Sequence, residues 1–142
     1  MAIIFCFIKY LTQAAVVASL GASTFLAFAV PHGVTARPKK MIGGYIIGII
    51  CGILLFSLLQ LWPFARLSVA DDFVPLISGA IAVGFSTFLM TVTSTEHPPA
   101  VGVALGFAVG GWTWETISFI LLFAIILSAV KRRLHKHMIN LF

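Results

Sequence analysis

Long apolar runs separated by short polar breaks dominate this chain. Met41 to Trp62 carries no charged side chain over 22 residues, and Phe73 to Thr95 carries none over 23. An α-helix needs roughly 20 apolar residues to cross a bilayer, and the regular alternation of a transmembrane barrel is absent. The pattern therefore predicts an all-α, polytopic transmembrane bundle of about five helices, near residues 11–30, 41–62, 74–95, 98–111 and 115–130.

The two ends of the chain differ in charge. Lys9 is the single charge in the first apolar region, and Ala2 to Ile8 is already apolar. A cleaved signal would place basic residues ahead of its apolar core. We therefore expect residues 1–10 to form an interfacial lead-in or an extension of the first helix. Residues 131–142 form a basic tail, and 1–142 is predicted to be one transmembrane domain.

Composition supports a membrane protein and excludes several other classes. Apolar residues make up 61% of the chain, charged residues 9%, and the mean hydropathy is +1.12. A soluble domain carries far more charge. The net charge of +5 comes from basic residues that flank apolar runs, so no nucleic-acid partner is expected. Cys6 and Cys51 lie in apolar stretches, so we predict neither a disulfide, a metal site nor a cofactor.

The distribution of basic residues predicts the orientation in the membrane. The break at 31–40 holds three Lys or Arg side chains, and the tail at 131–137 holds four, without an acid in either. The positive-inside rule places both on the cytoplasmic side, most simply of an inner or cytoplasmic membrane. The segment 98–111 covers only about 20 Å, but it must cross for the C-terminus to lie inside. Trp112 and Trp114 would then lie at the outer interface.

Two helices carry glycines at every fourth position. This spacing places small residues on one helix face and lets two backbones approach closely in lipid. Ala14, Ala18 and Ala22 repeat the spacing in the first helix. We expect these faces to form helix contacts and, because they are numerous, a homo-oligomer or a place in a larger complex. The glycines are Gly44, Gly48, Gly52, Gly102, Gly106 and Gly110.

The segment Glu96-His97-Pro98-Pro99 is the most polar and kink-prone point within the apolar sequence. Pro is well tolerated in the first turn of a helix, so Pro98-Pro99 is predicted to begin the fourth helix. A helix N-terminus attracts anions, and transporters place substrates at such broken-helix ends. The alternative is structural: Glu96 caps the helix and His97 lies at the membrane interface.

These residues resemble the HPP family of small integral membrane proteins, which is named for the triplet at His97-Pro98-Pro99. Family members tend to have Pro-Arg-Asn before a glycine pair and a histidine after it, whereas this chain has Pro38-Lys39-Lys40 and Tyr45. The resemblance covers about Ala14 to Val130. It rests on Ser19-Leu20-Gly21-Ala22-Ser23, on Ala36-Arg37-Pro38 followed by Gly43-Gly44, and on His97-Pro98-Pro99-Ala100.

The resemblance implies a transporter or channel for a small, nitrite-like anion, because plant and cyanobacterial relatives are associated with nitrite transport. A structural or accessory subunit of a membrane complex is the alternative function. An intramembrane enzyme is not expected, since Glu96 and His97 form the only acid–histidine pair. The expected partners are the lipid bilayer and the anion. The predicted substrate-binding residues are Ser19, Gly21, Ser23, Arg37, Glu96, His97, Pro98 and Pro99.

Overall fold

Five α-helices make up most of the described part of the chain. The computed structural model describes residues 2–61, 70–134 and 138–139. These residues contain no strand, so the predicted all-α fold is confirmed, and the short connection after the first helix includes a 3-10 turn at Val34–Ala36. The helices are α1 (Ala2–Ala29), α2 (Pro38–Leu61), α3 (Ala70–Val92), α4 (Pro98–Gly110) and α5 (Trp114–Leu134).

Three of these helices are long and apolar enough to cross a membrane. The spans are Pro38–Leu59, Val74–Val92 and Trp114–Leu134, and two shorter apolar helices cover Gln13–Ala29 and Pro98–Gly110. Their outward faces carry large apolar side chains that a water-soluble protein would bury. The protein is therefore a membrane protein.

The short helix α4 lies at the centre of the bundle, packed against α1, α2 and α3. Its inward residues are small, and Ala100, Ala104 and Ala108 are almost completely buried. Small side chains let several helices surround one backbone, which explains how a 13-residue helix can occupy the core. Phe107 and Val103 fill the space that remains.

The bundle has two chemically different ends. The basic end consists of residues 30–40, 93–97 and 131–134, and the tryptophan end consists of residues 110–116. His97 and Lys131 both contact the connection between α1 and α2, whereas Gly111 lies against Phe56 near the end of α2. The helix α4 therefore leads from the basic end to the tryptophan end, and α5 returns. A helix α4 that crosses the membrane, as predicted from the sequence, requires this path of the chain.

The helix boundaries agree with one alternative of the sequence prediction at residues 2–10 and differ from it at several other points; α2 begins at Pro38 and α3 at Ala70, not near 41 and 74. Residues 2–10 continue α1 as regular helix, which is the extension alternative. The helix α3 stops at Val92 because Thr93 and Ser94 form a turn, with Ser94 at φ 52°. The helix α5 runs to Leu134 and incorporates Lys131–Arg133, so the basic tail predicted from 131 begins as helix. Most of the predicted break at 62–72 and the tail residues 135–137 lie outside the described residues.

A labelling experiment tests the orientation. Lys39 and Arg133 are exposed at the basic end, and Thr113 is exposed at the tryptophan end. In a background lacking Cys6 and Cys51, we expect cysteines at 39 and 133 to react only from the cytoplasmic side. A cysteine at 113 should react only from the opposite side. Labelling of 39 and 133 from different sides would contradict the topology.

Candidate functional site

The site begins where α3 ends and the chain turns back into the bundle. The hydroxyls of Thr93 and Thr95 are 2.7 Å apart, and the Thr95 amide donates to the Met90 carbonyl over 2.8 Å. These local bonds replace the helical ladder after Val92 and direct residues 95–97 inwards. Pro98 and Pro99 then begin α4 in its first turn, as predicted.

His97, directly before α4, lies deep between α1 and α2. Its side chain is only 1% exposed, and its Cβ lies beside Gly44, six residues after the start of α2. Its ring bonds to Ser23, six residues before the end of α1. At 1.5 Å per residue, His97 is recessed by about 9 Å from both helix ends. His97 therefore lies inside the bundle, whereas Pro98, the first residue of α4, is exposed.

Four polar side chains, His97, Ser19, Ser23 and Tyr45, form a buried cluster at this point. His97 Nδ1 lies 2.9 Å from the Thr35 carbonyl, so this nitrogen carries the proton and donates it. His97 Nε2 lies 2.7 Å from the Ser23 hydroxyl, which therefore donates to it. The Tyr45 hydroxyl lies 2.6 Å from the Ser23 oxygen and 3.2 Å from the Ser19 carbonyl oxygen, and it donates towards both.

Ser19 links this cluster to α4. Its hydroxyl donates to the Pro99 carbonyl and lies 3.4 Å from the Tyr45 hydroxyl. Burial lowers the pKa of His97, and the hydrogen bond to Thr35 opposes this shift. The neutral ring is the form that the bonds described above require. Together these side chains form a connected hydroxyl and imidazole chain that bridges α1, α2 and α4.

The start of α4 offers an anion fewer free backbone N–H donors than the sequence suggested. Pro98 and Pro99 have no amide hydrogen, and the Ala100 amide donates to the His97 carbonyl over 2.9 Å. The predicted anion site on free amides after the prolines is therefore not formed here. Side-chain donors are what this point of the bundle offers an anion.

The predicted site residues separate into two groups. Ser19, Ser23, His97 and Pro99 come together in the cluster. Gly21 does not, because it lies on an exposed face of α1 with nothing within 4 Å of the position a Cβ would take.

The charged residues predicted for the site also lie elsewhere. Arg37 is exposed at the basic end and lines a separate cavity. Glu96 forms an ion pair with Lys40. The hydrogen bond from Lys40 lowers the pKa of the Glu96 carboxyl, so this group is charged at neutral pH. The cluster itself contains no carboxylate.

The glycines of α2 face α4 at close range. A Cβ at Gly44 would lie 2.6 Å from the His97 Cβ, one at Gly48 2.5 Å from the Ala100 carbonyl oxygen, and one at Gly52 2.6 Å from the Phe107 Cβ. These contacts are within one chain, so the oligomeric state stays a prediction.

The glycines of α4 face in different directions. A Cβ at Gly102 would lie 3.1 Å from the Ala15 carbonyl oxygen on α1. Gly106 is buried, whereas Gly110 is exposed. Both line a cavity of about 690 Å³ at the tryptophan end, together with Gln13, Thr113 and Thr116. The cavity and the polar cluster are thus on the same seam, between α1 and α4.

The sequence analysis did not predict a role for two residues of functional interest. Tyr45 is fully buried and joins both serines, although the sequence marked it only as a departure from the family pattern. Lys131 was assigned to a basic tail, yet its side chain is 3% exposed and donates to the Ala36 carbonyl. Among the described residues, no three His, Cys, Asp or Glu side chains lie close enough to hold a metal ion.

Comparison with known proteins identifies the family. No curated protein and no solved structure matches the chain. A family model described as the HPP transmembrane region matches residues 1–138, which is nearly the whole chain. The protein is therefore an integral membrane protein that belongs to the HPP transmembrane-region family.

Proposed function

We propose that the protein conducts or transports a small anion along the seam between α1 and α4. The observation that carries this proposal is the buried cluster of Ser19, Ser23, Tyr45 and His97 at the start of α4. Polar side chains inside a membrane bundle are costly to keep and commonly line a substrate path. Hydroxyl groups suit a small anion because they can donate hydrogen bonds without a fixed charge, and the neutral imidazole orients the Ser23 hydroxyl.

Hydroxyl groups that now form hydrogen bonds within the protein would provide the anion-binding site by rotating towards the anion. Ser19 and Tyr45 now donate to acceptors within the protein, and each hydroxyl can rotate towards an anion. The positive N-terminal end of the α4 dipole points to the same place. The helices α1 and α4 are in close contact at Gly102, so a small anion such as nitrite would reach the cavity at the tryptophan end only when they separate there.

Reconstitution in liposomes tests the proposal. We expect the purified protein to carry nitrite, assayed colorimetrically inside the vesicles, well above empty liposomes. His97→Ala should reduce the flux by about tenfold, because His97 Nε2 orients the Ser23 hydroxyl and a hydrogen bond from such a donor to a charged group contributes roughly 1.5–3 kcal/mol. Thr24→Ala is the matched control, since Thr24 lies beside Ser23 but bonds only to Leu20 of its own helix.

The outcomes separate the two functions proposed from the sequence. If neither nitrite nor another small anion moves, the transport proposal fails and the accessory-subunit hypothesis replaces it. If His97→Ala and Thr24→Ala both transport like the unsubstituted protein, transport is retained but the path does not use this cluster. Thermal melting of each variant in detergent shows that a lost flux does not come from unfolding.

A further inference from the structure

A second polar feature, separate from the His97 cluster, is a cavity of about 550 Å³ at the basic end. It opens between the connection that follows α1 and the last turn of α5. Three cationic side chains and no carboxylate line it. The lining residues are Pro31, His32, Arg37, Pro38, Lys131 and Arg132.

No acidic side chain of the described residues lines this cavity. The sequence has four Asp and Glu residues. Glu96 is paired with Lys40. Glu115 is in the first turn of α5, 16 residues before the lysine of the cavity and so about 24 Å away along the helix. Asp71 and Asp72 are in the first turn of α3, at the opposite end of the bundle. The cavity therefore favours an anion as its ligand.

Lys131 defines the chemistry of that anion. Its buried ammonium has three N–H donors, and among the described residues only the Ala36 carbonyl accepts from it. A buried cation without a counter-charge is costly, so an oxyanion beside it would be stabilising. Arg37 and Arg132 add guanidinium groups, which match the oxygens of a phosphate group in a bidentate manner.

An apolar groove of about 320 Å³ leads to this cavity along the seam between α1 and α5. Phe28 of α1 and Phe119, Ile126 and Val130 of α5 are among its lining residues. Val130 directly precedes Lys131, so the groove ends within one residue of a lysine that lines the cationic cavity. From Phe119 to Val130 the groove extends about 17 Å, close to the roughly 15 Å depth of one leaflet.

We propose that this seam binds an anionic phospholipid. The headgroup phosphate would lie against Arg37, Lys131 and Arg132, and an acyl chain would occupy the groove. Basic pockets between transmembrane helices suit anionic headgroups, and the adjoining groove favours a lipid over a free ion. Inorganic phosphate shares the headgroup chemistry but would leave the groove empty.

Native mass spectrometry of the full chain in detergent tests the headgroup site. The protein is titrated separately with phosphatidylglycerol, phosphatidylcholine and inorganic phosphate. We expect phosphatidylglycerol to bind most tightly and Arg132→Gln to weaken it by about tenfold. Arg133→Gln removes the same charge from the next residue, which is exposed and does not line the cavity, and should change binding by less than about twofold.

A second pair of variants tests the groove. Ile126→Trp fills it, whereas Ile125→Trp adds the same bulk to an exposed neighbour outside it. Only Ile126→Trp should weaken phosphatidylglycerol binding, with melting temperatures of both variants measured in parallel. Equal effects of Arg132→Gln and Arg133→Gln would indicate non-specific surface attraction and overturn the proposal. Inorganic phosphate that binds as tightly as the lipid, with Ile126→Trp without effect, would identify a free-anion site and also overturn it.

Discussion

Gly48→Leu is expected to separate α2 from α4 and prevent stable folding of the bundle. A Cβ at Gly48 would lie 2.5 Å from the carbonyl oxygen of Ala100 and 3.3 Å from its carbonyl carbon. Both atoms belong to the backbone of the central helix, so no side-chain rotation can relieve the clash. Overpacking in a core typically costs about 1–3 kcal/mol, and leucine adds three further carbons to this contact. Thermal melting and size-exclusion profiles in detergent measure the loss.

Gly84→Leu is the matched control for this substitution. Gly84 lies in α3, is exposed, and has nothing within 4 Å of the position that a Cβ would take. Leucine is a better helix former than glycine by nearly 1 kcal/mol, so this variant should melt at or above the temperature of the unsubstituted protein. Equal melting of the two variants would mean that α2 and α4 do not approach each other as closely as described.

The helices and their order could be predicted from the sequence because lipid imposes a simple rule. Each apolar run must satisfy its own backbone hydrogen bonds, so each long run becomes a helix. The start of α4 was equally predictable, since Pro98 and Pro99 fit only the first turn. The end of α3 was placed too late because the uncharged run continues to Thr95, whereas the Thr93 and Thr95 hydroxyls stabilise a turn before the run ends.

The composition of the site was harder to predict because it depends on which helix faces meet. Ser19 and Ser23 are four residues apart and share a face, so their proximity followed from spacing alone. Gly21 is two residues from each, about 200° around the helix, and the same geometry excludes it from that face. Tyr45 could not be placed without knowing that α2 turns this face towards α1.

Long charged side chains were the least predictable features. Lys40 and Arg37 are three residues apart, and only the position of the start of α2 decides which of them reaches Glu96. Lys131 lies at the point where an apolar run ends, and sequence reasoning therefore assigned it to solvent. The helix α5 continues one turn further and brings this side chain to the Ala36 carbonyl.

Ser23→Ala is expected to lower the stability of the folded bundle markedly while leaving its shape unchanged. The Ser23 hydroxyl donates to His97 Nε2 and accepts from the Tyr45 hydroxyl, and both partners are almost completely buried. Removing this hydroxyl leaves the His97 acceptor without its partner, whereas Tyr45 keeps the Ser19 carbonyl as an acceptor 3.2 Å away. An unsatisfied buried group costs roughly 1–3 kcal/mol, so a loss within this range is expected. Denaturant or thermal unfolding in detergent measures it.

Thr24→Ala and Tyr45→Phe make this prediction specific. Thr24 bonds only to the Leu20 carbonyl of its own helix, so its removal should change stability by less than about 0.5 kcal/mol. Combining Ser23→Ala with Tyr45→Phe should cost less than the sum of the single changes, with a coupling of about 0.5–3 kcal/mol, since both act on one chain of bonds. If Ser23→Ala costs no more than Thr24→Ala, the hydroxyl and imidazole chain does not hold α1, α2 and α4 together. The polar cluster would then lose its structural basis, and with it the position at which an anion is expected to bind.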